Sequence, residues 1–347
     1  MYPDERHPTK GVFVRNTEQQ LKAAGVLVDR IVVRNTKTNN RLSKLWAYWV
    51  FTLTATSRLL KSANPVYLHY VAHTSLPVLL AHIFRTQSVV AHAHGGDVIP
   101  ATHDSKITQG LKRFLSNRLL GIAHTIIVPS QFLANRLIED YGVSPEKITI
   151  VPSGGVDVGT FCYRQRQTKE SDKHLHVGYV GRLDRGKGVD TLIRAIHSFK
   201  LPIRCTIVGT GDMHTAFGAL ISQLKLNDQV TLHGACEQSH LADIYRQLDF
   251  LVFPSELEES LGLVGLESMA CGTPVIGSLR GGMAEYVVDK FNGLSFEPGN
   301  TQSLVEAMTS AYQMPSEIYA NMSSNAYETS KAYDATQCAK RLVKVFV

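Results

Sequence analysis

Cysteine is scarce in this sequence and follows no recognisable motif. The five cysteines are widely separated, and no pair has the Cys-x-x-Cys spacing of zinc and redox sites: Cys162, Cys205, Cys236, Cys271 and Cys338. An odd, scattered set excludes the disulfide framework of a small secreted domain. These cysteines are therefore predicted to be buried thiols in a reducing compartment.

The sequence also lacks long apolar runs. Residues 1–10 are polar and charged, without the apolar stretch of a secretion signal. Two uncharged stretches come closest to a membrane span. Residues 45–57 are too few to span the bilayer. Residues 63–84 contain two prolines and three histidines, which a lipid-exposed helix tolerates poorly. The sequence predicts a cytoplasmic protein that does not cross the bilayer.

The chain is long enough for two domains. Its 347 residues are 44% hydrophobic and 19% charged, as in a globular protein. Short β-branched runs alternate with amphipathic segments from residue 66 to 150 and again from 174 to 277, which is typical of parallel sheets covered by helices. We predict an α/β protein with two Rossmann-like, doubly wound domains facing across a cleft. Their predicted bounds are residues 1–165 and 174–331, followed by a helix at 332–347 that packs back on the first domain.

The two halves of the chain differ in charge. Residues 1–175 carry 22 Lys and Arg against 12 Asp and Glu, whereas residues 176–347 carry 14 against 18. A basic half favours an anionic partner, either nucleic acid or a lipid surface, and the alternative is an ordinary solvated surface. Residues 41–61 are basic at both ends and contain Trp46 and Trp49. This segment is either a membrane-surface helix or a helix packed on the sheet, and the basic residues 106–120 are a second membrane candidate.

The most informative segment is PSELEESLGLVGLESMACGTPVI, residues 254–276. It predicts the end of a strand, an acidic loop and a short helix. The first free backbone N–H groups of that helix form an anion site: Gly262, Leu263 and Val264. Glu259 and Glu267 frame the helix start, with seven residues between them, and suit hydrogen bonds from sugar hydroxyls. The alternative to a binding role is that Glu259 is a negative charge that stabilises the helix N-terminus and that Glu267 is a solvated surface residue.

A second motif, GRLDRGKG at residues 181–188, follows the strand HVGYVG. Its glycines allow the backbone to approach a ligand, and Arg182 and Lys187 can clamp a diphosphate. VGTGD at residues 208–212 also ends a strand and resembles half of a dinucleotide fingerprint. It lacks the third glycine that a nicotinamide oxidoreductase, the less favoured enzyme class, requires.

These motifs, followed by GGMAEYVVDKFNGLSFEPGN at residues 281–300, strongly resemble glycosyltransferase family 4 over nearly the whole chain. The resemblance implies the GT-B fold and a retaining transfer of sugar from a nucleotide diphosphate, with a UDP-sugar favoured over a GDP-sugar. It also implies a glycan or lipid-linked acceptor, as in polysaccharide or glycoconjugate synthesis. A noncatalytic relative that binds a nucleotide sugar is the alternative, and a nucleic-acid-binding module would not explain the Glu-x7-Glu segment.

The resemblance also implies roles for individual residues. Arg182 and Lys187 would neutralise the donor diphosphate, with the backbone of Gly262, Leu263 and Val264. Glu259 would contact hydroxyls of the transferred sugar and Glu267 those of the ribose. Ser260 and Leu261 stand where many members carry Gly and Phe, a departure that is expected to change the sugar preference.

In the first domain, HAHGGDV at residues 92–98 ends a strand. The family pattern places His94 and Gly95 beside the transferred sugar and makes His94 a catalytic candidate. Asp97 is a candidate for binding the acceptor hydroxyl. A lone histidine is more often structural, and several neighbouring histidines are expected simply to fill the sheet edge.

No aspartate stands two positions from another, so the Asp-x-Asp unit of metal-dependent transferases is absent from the sequence. We therefore expect no metal and no cofactor. The charge of the leaving diphosphate would fall to the cations and helix amides.

The beginning of the chain departs from the fold that the resemblance implies. YPDERHPTKG, residues 2–11, resembles a donor-binding loop with Gly11 at the close approach to the phosphate, and VFVRNTEQQLKAAG reads as the first helix. No apolar strand precedes the loop. We therefore expect the first strand of the N-terminal sheet to be missing and the chain as given to be weakly stable or inactive.

Overall fold

The computed structural model describes residues 11–29, 41–99, 106–152, 154–163 and 174–346. They form two compact units, one of residues 1–154 with 338–347 and one of residues 155–337. Within the described residues, no helix combines the length and the apolar character that crossing a bilayer requires.

The first unit contains a four-stranded parallel sheet in the order β1-β2-β3-β4. The strands are β1 (Val66–His69), β2 (Val89–His92), β3 (Thr125–Val128) and β4 (Ile148–Ile150), and the helices are α1 (Val12–Ala23), α2 (Arg41–Lys61), α3 (Val71–Phe84), α4 (Lys106–Ile122) and α5 (Gln131–Tyr141). The strands are rich in β-branched residues, and helices between them return the chain to the start of the next strand, as parallel pairing requires. Ser130 shows how sequence fixes a helix start, because its side chain caps α5 at the Leu133 N–H.

The second unit contains a six-stranded parallel sheet in the order β10-β9-β8-β5-β6-β7. The strands are β5 (Leu175–Val180), β6 (Ile203–Val208), β7 (Val230–His233), β8 (Phe250–Phe253), β9 (Val275–Gly277) and β10 (Gly293–Ser295). The helices are α6 (Val189–Ser198), α7 (His214–Gln223), α8 (Gln238–Gln247), α9 (Leu263–Ala270), α10 (Thr301–Tyr312) and α11 (Ser316–Lys331). From β5 the chain winds outward through β6 to β7 and then returns to β8 on the other side of β5. The neighbours β5 and β8 therefore form the topological switch point, where ligands of such sheets bind.

The units divide the chain earlier than the predicted bound at residue 165. The segment after Gly154 pairs within the second unit, since the Val156 N–H donates to the Tyr333 carbonyl at 2.7 Å. The last helix, α12 (Ala335–Val343), straddles the division at residues 337 and 338. Its buried Cys338 and Leu342 pack with Leu21 and Val90 of the first unit.

Residues 1–10, which belong to the loop predicted before the first helix, lie outside the described residues. Helix α1 begins after Gly11, which adopts the left-handed conformation at φ 76°. Among the described residues, β1 is the first strand of the sheet and pairs with β2. The missing first strand stays a prediction.

Candidate functional site

Two loops meet at the switch point of the second unit, one after β5 and one after β8. The backbone N–H of Glu256 donates to the Gly186 carbonyl at 2.8 Å. Gly188, at φ 70°, lies so close to the Pro254 carbonyl that any Cβ there would collide with it. The glycines of GRLDRGKG therefore allow contact between the two loop backbones.

This contact brings Lys187 and Glu259 together, although they are 72 positions apart in the sequence. Lys187 Nζ lies 2.7 Å from Glu259 Oε1, and the two side chains are 17% and 15% exposed. Ser255 Oγ donates to the same carboxylate oxygen at 2.6 Å. A cation and a carboxylate of low exposure are thus held in fixed positions at the carboxyl edge of the sheet.

Helix α9 begins beside this ion pair. Its N-cap is Gly262 at φ 84°, and the Gly262 carbonyl accepts from Tyr286 Oη at 2.7 Å. Because glycine has no side chain, it cannot cap the helix. Within the part of the chain that the structure describes, the first N–H groups at Leu263 and Val264 are therefore left to bind another acceptor. A Cβ at position 262 would lie 2.7 Å from the Phe253 ring. The predicted anion site at a helix start is therefore built around a glycine that packing requires.

Glu267 lies one turn into α9 and is partly buried. Tyr245 Oη donates to Glu267 Oε2 at 3.2 Å. Burial raises the pKa of Glu267 to about 7, although the Tyr245 hydrogen bond acts in the opposite direction. The carboxyl group is therefore destabilised in its charged form and would gain from hydroxyl donors that stabilise that form.

Arg182 lies apart from the Lys187–Glu259 pair. Its guanidinium pairs with Asp184 at 2.7 Å, and the side chain is 76% exposed. Asp184 also accepts the Asp212 N–H at 3.4 Å, which connects the loop after β5 to VGTGD. The structure therefore brings only Lys187 of the two predicted cations to Glu259.

Sequence reasoning missed three kinds of supporting contact. Ser255 and Tyr245 hold the two glutamates, and the Gly282 N–H donates to the Glu259 carbonyl at 2.7 Å. Gly281, at φ 66°, forms a parallel bridge with Glu259. The double glycine of GGMAEY was the available signal, because adjacent glycines indicate a close backbone approach.

In the first unit, His94 follows β2, and its Nε2 lies 3.0 Å from His69 Nδ1. Burial is the main cause that lowers the pKa of His94 well below its ordinary value, and the neighbouring His69 lowers it further. His94 is therefore a neutral imidazole at physiological pH.

Asp97 is buried, and both of its carboxylate oxygens accept backbone N–H groups. Asp97 Oδ2 accepts from Val71 at 2.7 Å and Oδ1 accepts from His94 at 2.9 Å. Burial raises the pKa of Asp97 to about 6, opposed by these backbone hydrogen bonds. The contacts tie the start of α3 to the loop after β2, and the acceptor-binding role of Asp97 stays a prediction.

Two family models match the chain side by side. The model described as Glycosyltransferase Family 4 matches residues 11–160, and the model described as Glycosyl transferases group 1 matches residues 164–329. Among curated relatives, a D-inositol 3-phosphate glycosyltransferase of Segniliparus rotundus is 30% identical over 224 residues, which are 60% of this chain and 49% of the relative. An uncharacterized glycosyltransferase of Methanocaldococcus jannaschii is 32% identical over 191 residues, 52% of this chain and 47% of the relative. The chain spans about half the length of these relatives.

Solved structures share the fold over nearly the whole chain. Sucrose-phosphate synthase from Thermosynechococcus elongatus superimposes with a TM-score of 0.81 at 22% identity, covering 97% of this chain and 92% of its own. HepE of Anabaena, in complex with UDP and glucose, gives a TM-score of 0.73 at 20% identity, covering 95% of this chain and 88% of its own. The two adjacent model matches show that the chain belongs to glycosyltransferase family 4, and the likenesses to solved structures show that it has the GT-B fold.

Proposed function

We propose that this protein is a retaining glycosyltransferase that takes its sugar from a nucleotide diphosphate donor. The observation that carries the proposal is the Lys187–Glu259 pair, 2.7 Å between charged atoms, at the uncapped start of α9. One edge of the sheet thus offers a cation and free N–H groups to a diphosphate, and carboxylates to hydroxyls. A nucleotide sugar carries both kinds of group.

The leaving diphosphate develops negative charge, and fixed donors aimed at that charge lower the barrier. Lys187 Nζ and the Leu263 and Val264 N–H groups are assigned this role. Arg182 would join them by exchanging Asp184 for the phosphate, which its high exposure permits. Gly11, at the start of α1, is assigned the close approach to the donor from the first unit.

The two glutamates are assigned to the two sugar rings of the donor. Glu259, already oriented by Lys187 and Ser255, would accept from hydroxyls of the transferred sugar. Glu267, held by Tyr245, would accept from the ribose hydroxyls. The UDP complexes of HepE support a UDP-sugar as the first donor to test, with a GDP-sugar next.

We assign the chemistry to a front-side attack. The bond from the acceptor oxygen to the anomeric carbon forms on the face from which the phosphate leaves, and a phosphate oxygen takes the acceptor proton. His94, as a neutral imidazole, would contact the transferred sugar. Asp97 is assigned to positioning, because it holds the His94 N–H rather than pointing a free carboxylate outward. The absence of an Asp-x-Asp unit from the sequence supports turnover without metal.

The acceptor is proposed to be a glycan or a lipid-linked sugar, met at an anionic membrane surface. Helix α3 packs against both α2 and α4. Trp46 and Trp49 of α2 are 72% and 58% exposed, and Ile107, Leu111 and Phe114 of α4 are exposed as well. Apolar side chains among exposed basic residues suit attachment in the plane of an anionic interface: Lys44, Arg58, Lys61, Lys106 and Arg113.

Donor titration by calorimetry tests the proposal. Wild-type protein, Lys187→Ala and Lys200→Ala are titrated with UDP and with UDP-sugars. Lys200 is exposed and lies between α6 and β6, at the opposite edge of the same sheet, so its substitution removes an equal charge away from the site. We expect roughly tenfold or greater weakening in Lys187→Ala, as for a lost charged hydrogen bond, and little change in Lys200→Ala. Equal affinity in all three proteins for every nucleotide sugar would refute the assignment.

A further inference from the structure

Three histidines meet at the carboxyl edge of the sheet in the first unit. His69 ends β1 and His92 ends β2, and the two are paired in register. His94 follows two positions after His92. One ligand nitrogen from each lies within 4.8 Å of the others. We propose that His69, His92 and His94 bind one transition-metal dication of the zinc class.

The chemistry of the three side chains favours such an ion. Imidazole nitrogen suits Zn²⁺, Co²⁺, Ni²⁺ and Cu²⁺, whereas Mg²⁺ and Ca²⁺ prefer oxygen ligands. Three histidines with an open fourth position form a recurrent zinc arrangement, with Zn–N distances of about 2.0 Å and therefore nitrogens roughly 3.3 Å apart. The His69–His94 nitrogens are 3.0 Å apart, so small side-chain rotations bring the set to this spacing.

A second observation points to a ligand at the same place. His92 is buried, and its Nε2 has no hydrogen-bond partner among the described residues. Its ring centroid lies 4.2 Å from that of His94 and 5.1 Å from that of His69, so the unpartnered nitrogen belongs to the cluster. A buried polar atom without a partner is destabilising, and a bound metal would offset that cost.

The surroundings already provide the contacts that a metal-binding histidine needs. His92 Nδ1 lies 2.7 Å from Tyr67 Oη. With a metal on Nε2, the ring proton sits on Nδ1 and donates to Tyr67 Oη, an orientation typical of histidine ligands. Burial lowers the pKa of His69 to about 3 and that of His92 and His94 in the same direction, so all three are in the neutral form that coordinates.

Metal at this cluster would have a consequence for transfer, and this part rests on the proposed function. His94 is assigned to contact the transferred sugar, and a coordinated His94 is unavailable for that contact. The metal would therefore act as an inhibitor. This role is distinct from metal bound to a donor diphosphate.

The test uses the 347-residue chain without a polyhistidine tag, freed of metal by chelator and titrated with Zn²⁺ and Co²⁺. We expect one ion per chain, with the visible absorption of a low-coordinate Co²⁺ site. His69→Gln and His92→Gln should each weaken binding by about tenfold or more, and the exposed His73→Gln nearby should leave it unchanged. Circular dichroism checks that each variant folds. If His92→Gln does not fold, the test depends on His69→Gln, because His69 is less buried than His92.

The proposal is overturned by the absence of stoichiometric binding in wild-type protein, by undiminished binding in a folded His69→Gln, or by an equal loss in His73→Gln. The binding measurement needs no sugar donor, so it stands or falls independently of the transferase assignment. One equivalent of Zn²⁺ should then suppress transfer in wild-type protein, and chelator should restore it.

Discussion

Glu267→Gln should change stability and donor affinity in opposite directions. The pKa of Glu267 rises from an ordinary value of 4.5 to about 7 because the carboxyl group is buried on α9. Below about pH 4.5 the group is protonated in both the folded and the unfolded chain, and its contribution to stability is fully present. As the pH rises through about 7, the unfolded chain has already released the proton that the folded protein still holds, so stability is lost across this window.

The size of the effect follows from the same pKa. At about 1.4 kcal/mol per pH unit, the interval from 4.5 to about 7 corresponds to roughly 3 kcal/mol as an upper estimate. Glutamine has the same shape, keeps an oxygen for the Tyr245 hydroxyl and never ionises. At pH 8 the variant should therefore be more stable than wild type by up to about 3 kcal/mol, or roughly 5 to 10 °C in melting temperature. Below pH 4.5 the two proteins should nearly coincide.

Donor binding should respond in the other direction. Hydroxyl groups that donate to Glu267 stabilise its charged form, so UDP affinity of wild type should increase as the pH rises through about 7. Loss of a charged hydrogen bond of about 1.5 to 3 kcal/mol predicts roughly tenfold to hundredfold weaker UDP binding in Glu267→Gln. The UDP affinity of Glu267→Gln should change with pH only through the titration of the nucleotide itself.

The assay is thermal unfolding from pH 4.5 to 8.5, with and without UDP, for wild type, Glu267→Gln and Glu317→Gln. Glu317 is exposed on α11, so it controls for removing a carboxylate elsewhere in the same unit. A Glu267→Gln variant that is less stable at pH 8, or that keeps the wild-type pH dependence, would refute the reasoning about burial. A stabilised variant with unchanged UDP affinity would instead separate Glu267 from the donor site.

Three further predictions follow from the same contacts and sequence features. Ser255→Ala removes the 2.6 Å hydrogen bond to Glu259 and should reduce kcat severalfold, about 1 kcal/mol, with the fold retained by circular dichroism; an unchanged kcat would contradict the orienting role. Turnover should persist in excess EDTA, and its abolition with rescue by Mn²⁺ would show that the diphosphate needs a metal. The protein should float with anionic but not neutral liposomes, and the double variant Trp46→Ser, Trp49→Ser should lose this binding while the control Phe291→Ser, exposed in the second unit, keeps it. Equal flotation with both lipids would contradict the electrostatic account.

The elements of the candidate site are local, and sequence could anticipate them. The short helix predicted to start near Gly262 is α9, which begins at Leu263. A glycine before the helix and a glycine and proline after it identify such a segment without tertiary information. The family and the α/β fold follow from the same motifs and are confirmed.

What the sequence could not provide is which side chains meet. Lys187 reaches Glu259 because β8 pairs with β5, and strand order is a property of the whole sheet rather than of any one motif. Tyr245 meets Glu267 because α8 packs against α9. Arg182 was grouped with Lys187 by proximity in sequence, yet it pairs with Asp184. Asp97 was predicted to bind the acceptor hydroxyl, and nothing in the sequence indicated that the backbone N–H groups of Val71 and His94 donate to its two oxygens.

The Lys187–Glu259 pair is better explained by ligand binding than by stability. Two charges of low exposure lose much of their hydration, and the attraction between them commonly only offsets that loss. An apolar pair would fill the same space at no electrostatic cost, so stability alone does not account for charges at this position. The pair instead keeps a cation and a carboxylate oriented beside α9 before any ligand arrives. Ser255 donates to the same carboxylate oxygen as Lys187, and the Gly282 N–H holds the Glu259 backbone carbonyl. Lys187 can therefore turn toward a phosphate while Ser255 keeps the carboxylate in place for hydroxyl groups. A diphosphate joined to a sugar would satisfy both members of the pair at once, which neither a free anion nor a neutral sugar would do.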